Sequence, residues 1–222
     1  MPTSPATEPA LEWRISDRAV DYDEAEAEME RRVRAIRAKA AAELVWLLEH
    51  PPLYTAGTSA RACDLFNPRG LPTRRTGRGG QWTYHGPGQR VGYVLLDLRA
   101  RGLDVRGYVR ALEAWLVAAL ARLGVRAETR AGRVGLWVVD RASGTEAKIA
   151  AIGVRVTHWV TWHGFALNVD PDLSAYEGIV PCGLKGYGAT SLAALGITAS
   201  QAEVDCALIA TFAEAFALGV PG

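Results

Sequence analysis

Apolar residues recur at helical spacing in three stretches of the chain. Residues 21–42 have acidic residues near the start and basic residues near the end, as a helix dipole favours. A second helix is predicted from Asp104 to Gly124, and a third from Ser200, where Glu203 completes a capping box, towards Gly219. The apolar positions that define these helices are Met29, Val33, Ile36 and Ala40, then Val105, Val109, Leu112, Leu116, Ala119 and Leu120, and finally Val204, Leu208 and Phe212.

Short apolar runs bounded by turn residues predict the strands. Residues 43–49 indicate a buried strand that His50-Pro51-Pro52 closes, and residues 53–56 are expected to continue the sheet. Further strands are predicted at residues 90–98, 133–139, 148–157 and 160–169. Because helices and strands do not alternate strictly, we expect an α+β fold with a mixed or antiparallel sheet flanked by helices. One domain is expected over residues 21–222, after a flexible segment at residues 1–20 whose beginning is rich in Pro, Thr and Glu.

The overall charge and composition exclude several classes of protein. With 25 basic and 24 acidic residues and a net charge of +1, the chain lacks the broad basic surface that holds nucleic acid, although residues 74–78 form a local basic run. No apolar run is long enough to span a membrane, and the N-terminus lacks a secretory signal, so we expect a cytoplasmic protein without a membrane or nucleic-acid partner.

The three cysteines fit a reducing compartment with free thiols, because three cannot all pair and their spacing is not that of a metal site. Cys206 lies in an apolar helical pattern and is expected in the core, whereas Cys63 is expected in a loop. We therefore expect neither a metal nor another cofactor.

Cys182 is the most informative of the three, because it lies between Pro181 and Gly183 in a predicted tight turn. Such a turn presents a thiol at a cleft, and an ammonium nearby stabilises the reactive thiolate. Lys148, in the predicted strand 34 residues earlier, is the candidate partner. The alternative for these two residues alone is a small buried cysteine and a surface lysine.

Two further segments contain polar groups in unusual positions. Residues 77–89 contain many glycines, which are costly to order, so this segment is either a loop whose backbone approaches a ligand or an ordinary surface hairpin. It is not a phosphate-binding P-loop, because the required Gly-Lys spacing is absent. His163 interrupts a strand just before Gly164, which suggests an orienting role beside a cleft, although a strand histidine is more often structural.

Four ordered motifs resemble the lipoyl(octanoyl) transferases, also called the LipB family. They are RGGQWTYHGPGQ at residues 78–89, KIAAIGVRV at 148–156, HGFALNV at 163–169 and IVPCGL at 179–184, with weaker agreement at EHPPLYTAG (49–57) and TSL (190–192). The resemblance implies the catalytic fold of biotin and lipoate protein ligases. It also implies transfer of an octanoyl group from octanoyl-acyl carrier protein to a lysine of lipoyl domains, in lipoate biosynthesis.

The same resemblance implies a role for each motif. Cys182 is expected to carry the acyl group as a thioester, with Lys148 moving the proton, and no cofactor is needed. The acceptors implied are the lipoyl domains of 2-oxoacid dehydrogenase complexes and the glycine cleavage H protein. Trp82 replaces a smaller residue of the family pattern, and Gly186 and Gly188 loosen the segment after the cysteine. The expected substrate-binding residues are Arg78, Gly79, Gly80, Gln81, Trp82, Thr83, Tyr84, His85, Ala151, Ile152, Gly153, Gly164, Phe165 and Ala166.

Three alternatives remain at this point. The nearest is an ATP-dependent lipoate or biotin ligase on the same fold. A second is a cysteine acyl hydrolase that releases free acid, and a third is a non-catalytic module that binds an acyl group or a carrier protein.

Overall fold

The computed structural model describes residues 10–139, 144–180 and 187–216. Its three helices are α1 (Tyr22–Arg37), α2 (Val105–Arg122) and α3 (Gln201–Phe216). The strands are β1 (Leu11–Ile15), β2 (Glu43–Leu48), β3 (Leu53–Ala56), β4 (Thr73–Arg75), β5 (Trp82–His85), β6 (Gln89–Leu95), β7 (Glu128–Arg130), β8 (Arg133–Val139), β9 (Glu146–Thr157), β10 (Val160–Asn168) and β11 (Gly188–Ala189).

A mixed main sheet runs through the described part of the chain in the order β1-β2-β6-β10-β9-β8-β7, and β11 pairs with β9 outside this path. The β1–β2 and β11–β9 pairs are parallel, and the other pairs are antiparallel. Strands β3, β4 and β5 form a separate small sheet in the order β4-β3-β5. The expected α+β fold with a mixed sheet and flanking helices is therefore confirmed.

The two faces of the main sheet are covered by different helices. Along β2, Val45 and Leu47 pack into a core with α2 and α3, whereas Leu44, Trp46 and Leu48 pack into a core with α1. This alternation is the period of two that a strand imposes on its side chains. Because both faces are buried, all six residues of β2 are buried, which explains why the five residues after Glu43 are all apolar.

Helix α1 begins where its sequence predicts and ends earlier than expected. The Asp21 carboxylate accepts hydrogen bonds from the backbone N–H groups of Asp23 and Glu24, at 2.8 and 3.3 Å, and so caps the helix. The helix ends at Arg37, and Lys39 has a left-handed φ of 56°. The prediction of a helix to residue 42 was therefore too long.

Several other expectations are corrected by the structure. Residues 11–15, expected in a flexible segment, form β1, and residues 82–85, expected in either a ligand-binding loop or a surface hairpin, form β5. Cys206 is exposed on α3 rather than buried, and Val105 is 43% exposed rather than part of the buried face of α2. Residues 53–56 form a strand but belong to the small sheet, so they do not continue the main one.

Among the described residues, no helix combines the length and the apolarity needed to cross a bilayer.

Candidate active site

A cavity of about 280 Å³ opens where β5 and the segment before it face β6, β9 and β10. Fourteen of the residues singled out from the sequence line it. They are Lys148, Arg78, Gly80, Gln81, Trp82, Thr83, His85, Ala151, Ile152, Gly153, His163, Gly164, Phe165 and Ala166. The lining residues from these motifs lie up to 88 positions apart in the sequence, from Arg78 to Ala166, and the fold brings them to one place.

Two of the expected residues do not line the cavity, and one cannot be located. The N–H of Gly79 donates to the Val154 carbonyl at 2.9 Å, so this amide is used within the fold rather than for binding a substrate. Tyr84 points into a small core with Tyr54 and Tyr176, where the ring centroids lie 5.9 and 5.7 Å away. Cys182 lies outside the described residues.

Seven residues line the cavity without having been identified from the sequence. Val91 and Tyr93 lie two positions apart on β6, so both side chains point to the same face of the sheet. This alternation was the one signal for them in the sequence, because β10, the strand beside β6, carries one of the family motifs. The remaining ones belong to turns and element ends that no motif marked. The complete set is Tyr22, Ser59, Val91, Tyr93, Gly132, Arg133 and Val134.

Glycine is required where β10 crosses β6. A Cβ at Gly164 would collide with the carbonyl oxygen of Gly92, and a Cβ at Gly92 would collide with the ring of Phe165. The absence of both side chains lets the two strands pair while the Phe165 ring covers Gly92 and lines the cavity.

Arg78 is a buried cation fixed by backbone oxygens. Its guanidinium donates to the carbonyls of Thr55 (2.7 Å), Gln81 (2.9 Å) and Gly79 (3.0 Å), and to the Thr55 hydroxyl (2.8 Å). These bonds tie the glycine-rich segment to β3, so they compensate for the cost of ordering it. The glycine-rich segment is therefore an ordered part of the cavity lining rather than an ordinary surface hairpin.

A hydrogen-bonded chain continues from Arg78 through His85 to Gln89. The Nδ1 of His85 lies 2.7 Å from the Gln89 Oε1 and its Nε2 lies 3.2 Å from the Thr55 hydroxyl. Because the amide oxygen can only accept, Nδ1 carries the proton and Nε2 accepts from Thr55. Burial lowers the pKa of His85 well below its ordinary value, and His50 and Arg78 lower this pKa further, so the ring is neutral.

His50 and Tyr93 form a second buried pair beside the cavity. The Nδ1 of His50 lies 2.6 Å from the Val20 carbonyl and must donate to it, so Nε2 accepts from the Tyr93 hydroxyl at 2.7 Å. Burial lowers the pKa of His50 to about 4, and burial raises the pKa of Tyr93. Both groups are therefore neutral at pH 7 and act as scaffold.

Lys148 lies at the edge of the cavity, on β9. Its Nζ donates to the Val134 carbonyl at 3.0 Å and lies 4.7 Å from the centroid of the Trp137 ring. The carbonyl oxygen and the indole face together fix the position of the Lys148 amino group at the cavity. Lys148 also borders a smaller recess lined by Trp82, Trp137, Tyr176 and Tyr187.

The chain on each side of residues 181–186 is held by contacts with other segments, and the part after it lies beside Lys148. Before it, the N–H of Val180 donates to the Asp64 carbonyl at 2.8 Å. After it, Ala189 is in register with Lys148, and the Tyr187 ring packs edge-on against Trp137 at 5.4 Å. Trp137 thus contacts both Lys148 and Tyr187.

Comparison with known proteins identifies the family. The model of the lipoyl protein ligase A/B catalytic domain matches residues 21–213. An octanoyltransferase of Paramagnetospirillum magneticum is 66% identical over 206 residues, which cover 93% of this chain and 97% of that protein. The chain belongs to the octanoyltransferase family. The octanoyltransferase of Rhodospirillum rubrum is 59% identical over 206 residues and covers 93% of this chain and 95% of that protein.

Solved structures show that this octanoyltransferase has the ligase catalytic fold. A bipartite lipoate protein ligase of Thermoplasma acidophilum matches with a TM-score of 0.66 at 16% identity, covering 96% of this chain and 86% of that chain. A biotin protein ligase of Aquifex aeolicus matches with a TM-score of 0.54 at 15% identity, covering 93% and 70%. The family, the fold and the enzyme class expected from the sequence, an octanoyltransferase of lipoate biosynthesis, are confirmed.

Proposed function

We propose that this octanoyltransferase takes the octanoyl group from octanoyl-acyl carrier protein, holds it as a thioester on Cys182, and passes it to a lysine of a lipoyl domain. The acceptors proposed are the lipoyl domains of 2-oxoacid dehydrogenase complexes and the glycine cleavage H protein. The observation that carries the proposal is the position of Lys148 at the edge of an acyl-sized cavity, in contact with Trp137, whose ring also contacts Tyr187. Tyr187 follows Cys182 by five positions in the sequence.

The first half of the reaction loads the enzyme. Lys148 accepts the proton of the Cys182 thiol, and the resulting ammonium stabilises the thiolate. The sulfur attacks the thioester carbonyl carbon of the donor, a new carbon–sulfur bond forms, and the bond to the carrier's sulfur breaks. The carrier leaves as a thiol with the proton from Lys148, so Lys148 ends this half neutral.

The second half transfers the acyl group to the acceptor. A free lysine has a pKa of about 10.4, so supplying its neutral amine at pH 7 costs roughly 4 to 5 kcal/mol. A neutral Lys148 can take the proton as the amine attacks the Cys182 thioester, and the Cys182 sulfur then leaves with that proton. The product is an amide, which is more stable than a thioester, so the transfer needs no ATP.

The middle of the cavity suits an alkyl chain. Ala151, Ile152, Phe165 and Ala166 line it, and each CH₂ group buried there contributes about 0.8 kcal/mol to binding. Gly153 and Gly164 bring the backbone of β9 and β10 to the cavity wall without a side chain between. The proposed acyl-binding residues are therefore Ala151, Ile152 and Gly153 of β9 and Gly164, Phe165 and Ala166 of β10.

The test is to incubate the enzyme with octanoyl-acyl carrier protein alone, without acceptor or ATP. We expect a mass increase of one octanoyl group, located on Cys182 by peptide mapping, and its loss when an unmodified lipoyl domain is added. The Cys182→Ser variant is expected to remain unlabelled, and the Cys63→Ser variant, which changes an exposed thiol outside the cavity, is the matched control and should label normally.

Each alternative predicts a different result. A ligase would require ATP and a free acid, a hydrolase would discharge octanoate to water without acylating the lipoyl domain, and a binding module would acquire no covalent mass. A label on Cys63, or a Cys182→Ser variant with full transfer activity, would end the proposal. The cytoplasmic location and the organisation of the chain as one catalytic domain stay predictions.

A further inference from the structure

The cavity has an apolar middle and a polar far end. Six positions along β9 separate Lys148 from Val154, and Val154 is the register partner of His163 on β10. Lys148 and His163 therefore lie at opposite ends of the lining that β9 and β10 provide, with Ala151, Ile152 and Gly153 between them. An octanoyl chain that begins beside Lys148 points its methyl end towards His163.

The hydrogen-bonding groups of His163 are not used by the described residues around it. The side chain is 2% exposed, and neither Nδ1 nor Nε2 has a hydrogen-bond partner within residues 10–139, 144–180 and 187–216. Buried polar groups are normally paired, because leaving one unpaired is costly. The ring lines the cavity, so a polar group bound at this end of the cavity could supply the missing partner.

The ring is also held in a fixed position. The Trp162 ring stacks on it with centroids 5.2 Å apart and planes at 18°, and Tyr93 packs edge-on at 6.1 Å. The backbone N–H of His163 donates to the Met29 sulfur at 3.4 Å, and its φ of 58° lies in the left-handed region. These contacts give the imidazole a defined orientation, which a selective binding group needs.

The chemistry of the ring defines the group that it can bind. Burial lowers the pKa of His163 to about 3, and the charges of Arg78 and Arg155 act in the same direction, so the imidazole is neutral. A neutral imidazole offers one N–H donor and one nitrogen acceptor. A hydroxyl group, which both donates and accepts, matches it.

We propose that His163 forms a polar subsite at the far end of the acyl cavity, which binds a neutral hydroxyl group and limits the length of unsubstituted chains. The inference rests on the proposed function, because it places the thioester beside Lys148. The methyl end of an unsubstituted acyl chain cannot form a hydrogen bond. When it reaches the imidazole, it keeps other hydrogen-bonding groups away, so both ring nitrogens stay unpaired. A chain of the same length that ends in a hydroxyl restores the hydrogen bond.

The experiment compares acyl carrier proteins charged with straight-chain acids of increasing length and with the matching acids that carry a terminal hydroxyl. Transfer to a lipoyl domain is measured as kcat/KM for each. In the native enzyme, we expect unsubstituted chains to lose activity beyond a limiting length. At that length, the hydroxyl-ended chain should be transferred about tenfold faster than the unsubstituted one.

Two variants of similar side-chain shape test whether His163 is responsible. His163→Leu removes the polar atoms, so we expect the tenfold preference to disappear and the limiting length to increase. His163→Asn keeps a donor and an acceptor, and asparagine tolerates the left-handed backbone, so a preference for the hydroxyl should remain. The ratio between two substrates is independent of any general loss of folded enzyme, which thermal unfolding reports separately.

Several outcomes would overturn the subsite. They are an unchanged preference in His163→Leu, no preference in the native enzyme at any length, or a stronger preference for a terminal carboxylate than for a hydroxyl. Failure of the proposed function looks different, because the native enzyme would then fail to transfer octanoyl at all.

Discussion

Lys148 has two proposed tasks, and two substitutions separate them. Lys148→Met keeps most of the side-chain length but removes the charge and the base, so we expect kcat to fall by about 10² to 10⁴. Lys148→Arg keeps a cation that can stabilise the Cys182 thiolate but cannot take a proton from the acceptor amine, since an arginine stays charged. Thiolate reactivity, measured by alkylation of Cys182 at neutral pH, should therefore be partly retained in Lys148→Arg while turnover is lost.

The result that contradicts this assignment is equally specific. If Lys148→Met turns over at the native rate, Lys148 has no role in proton transfer, and its contacts with Val134 and Trp137 would be structural alone. Arg155→Met is the control, because Arg155 is an exposed cation of the same strand that stacks on Trp162 and does not line the cavity. It should leave both rates within about twofold.

Single residues show what sequence reasoning could and could not find. His163 was found because it interrupts a strand just before a glycine, which is a local signal, whereas Lys148 was found as a possible partner of Cys182 and through the family motif. The pairing of His50 with Tyr93 was missed, because the two are 43 residues apart and nothing near either suggests the other. Cys206 was misplaced although the spacing of Val204 and Leu208 identified the buried face of α3, because a position two residues after Val204 lies on the opposite side of the helix.

Gln89 links four elements at the end of the cavity wall. Its amide nitrogen lies 3.1 Å from the Tyr84 carbonyl, 3.0 Å from the Asn168 Oδ1 and 3.0 Å from the Tyr176 hydroxyl, and its oxygen accepts from His85. The side chain is completely buried. Strands β5, β6 and β10 and the 3₁₀ turn Leu173–Gly178 are thus held together by one amide.

Gln89→Leu has a similar size but removes every one of these bonds. We expect the free energy of unfolding to fall by roughly 3 kcal/mol, because several buried groups lose their partner at once. Urea denaturation measures this change. Gln201→Leu is the matched control, since Gln201 is half-buried and donates one bond, to Glu49 at 2.6 Å, so its cost should be less than half as large. Equal costs would show that the Gln89 network adds nothing beyond one ordinary hydrogen bond.

Elements were predictable where their pattern was local and were missed where tertiary contacts define them. The interior strands and the three helices follow from apolar periodicity. Strand β1 was missed, because its pairing with β2 and the packing of Trp13 on Phe212, at 5.3 Å, involve residues far along the chain. Strand β5 was hidden among glycines, and its partner β3 lies on the other side of a long connection.

The order of strands in the main sheet is a property of the whole molecule that no segment encodes. Two buried ion pairs attach neighbouring segments to this sheet: Arg101, in the turn before α2, binds Glu43 of β2 at 2.6 Å, and Arg90 of β6 binds Asp205 of α3 at 3.0 Å. Arg101 also donates to the Phe216 carbonyl at 3.1 Å, which ties the end of α3 to the sheet. The sequence motifs identified the family and, through it, the fold, whereas these specific contacts required coordinates.

Acid sensitivity follows from the neutral histidines that the fold buries. Burial lowers the pKa of His50 to about 4 and that of His163 to about 3, against about 6.5 in an unfolded chain. As the pH falls below about 6.5, the unfolded chain binds protons on these rings and the folded chain does not. The free energy of unfolding therefore decreases with acidification between about pH 6.5 and the folded pKa values, and these two rings cause no such change above pH 7.

Replacing one of the two buried rings should reduce this dependence by one proton. For His163→Asn, we expect the slope of unfolding free energy against pH, between about pH 6 and pH 4, to be smaller than the native slope by about 1.4 kcal/mol per pH unit. Urea denaturation at a series of pH values measures the slope, and carboxylates that titrate in the same range contribute equally to both proteins. His158→Gln changes an exposed histidine and should leave the slope unchanged. If His163→Asn keeps the native slope while His50→Gln lowers it, the folded protein takes up a proton on the His163 ring over the same pH range as the unfolded chain, which would contradict a ring that burial keeps neutral.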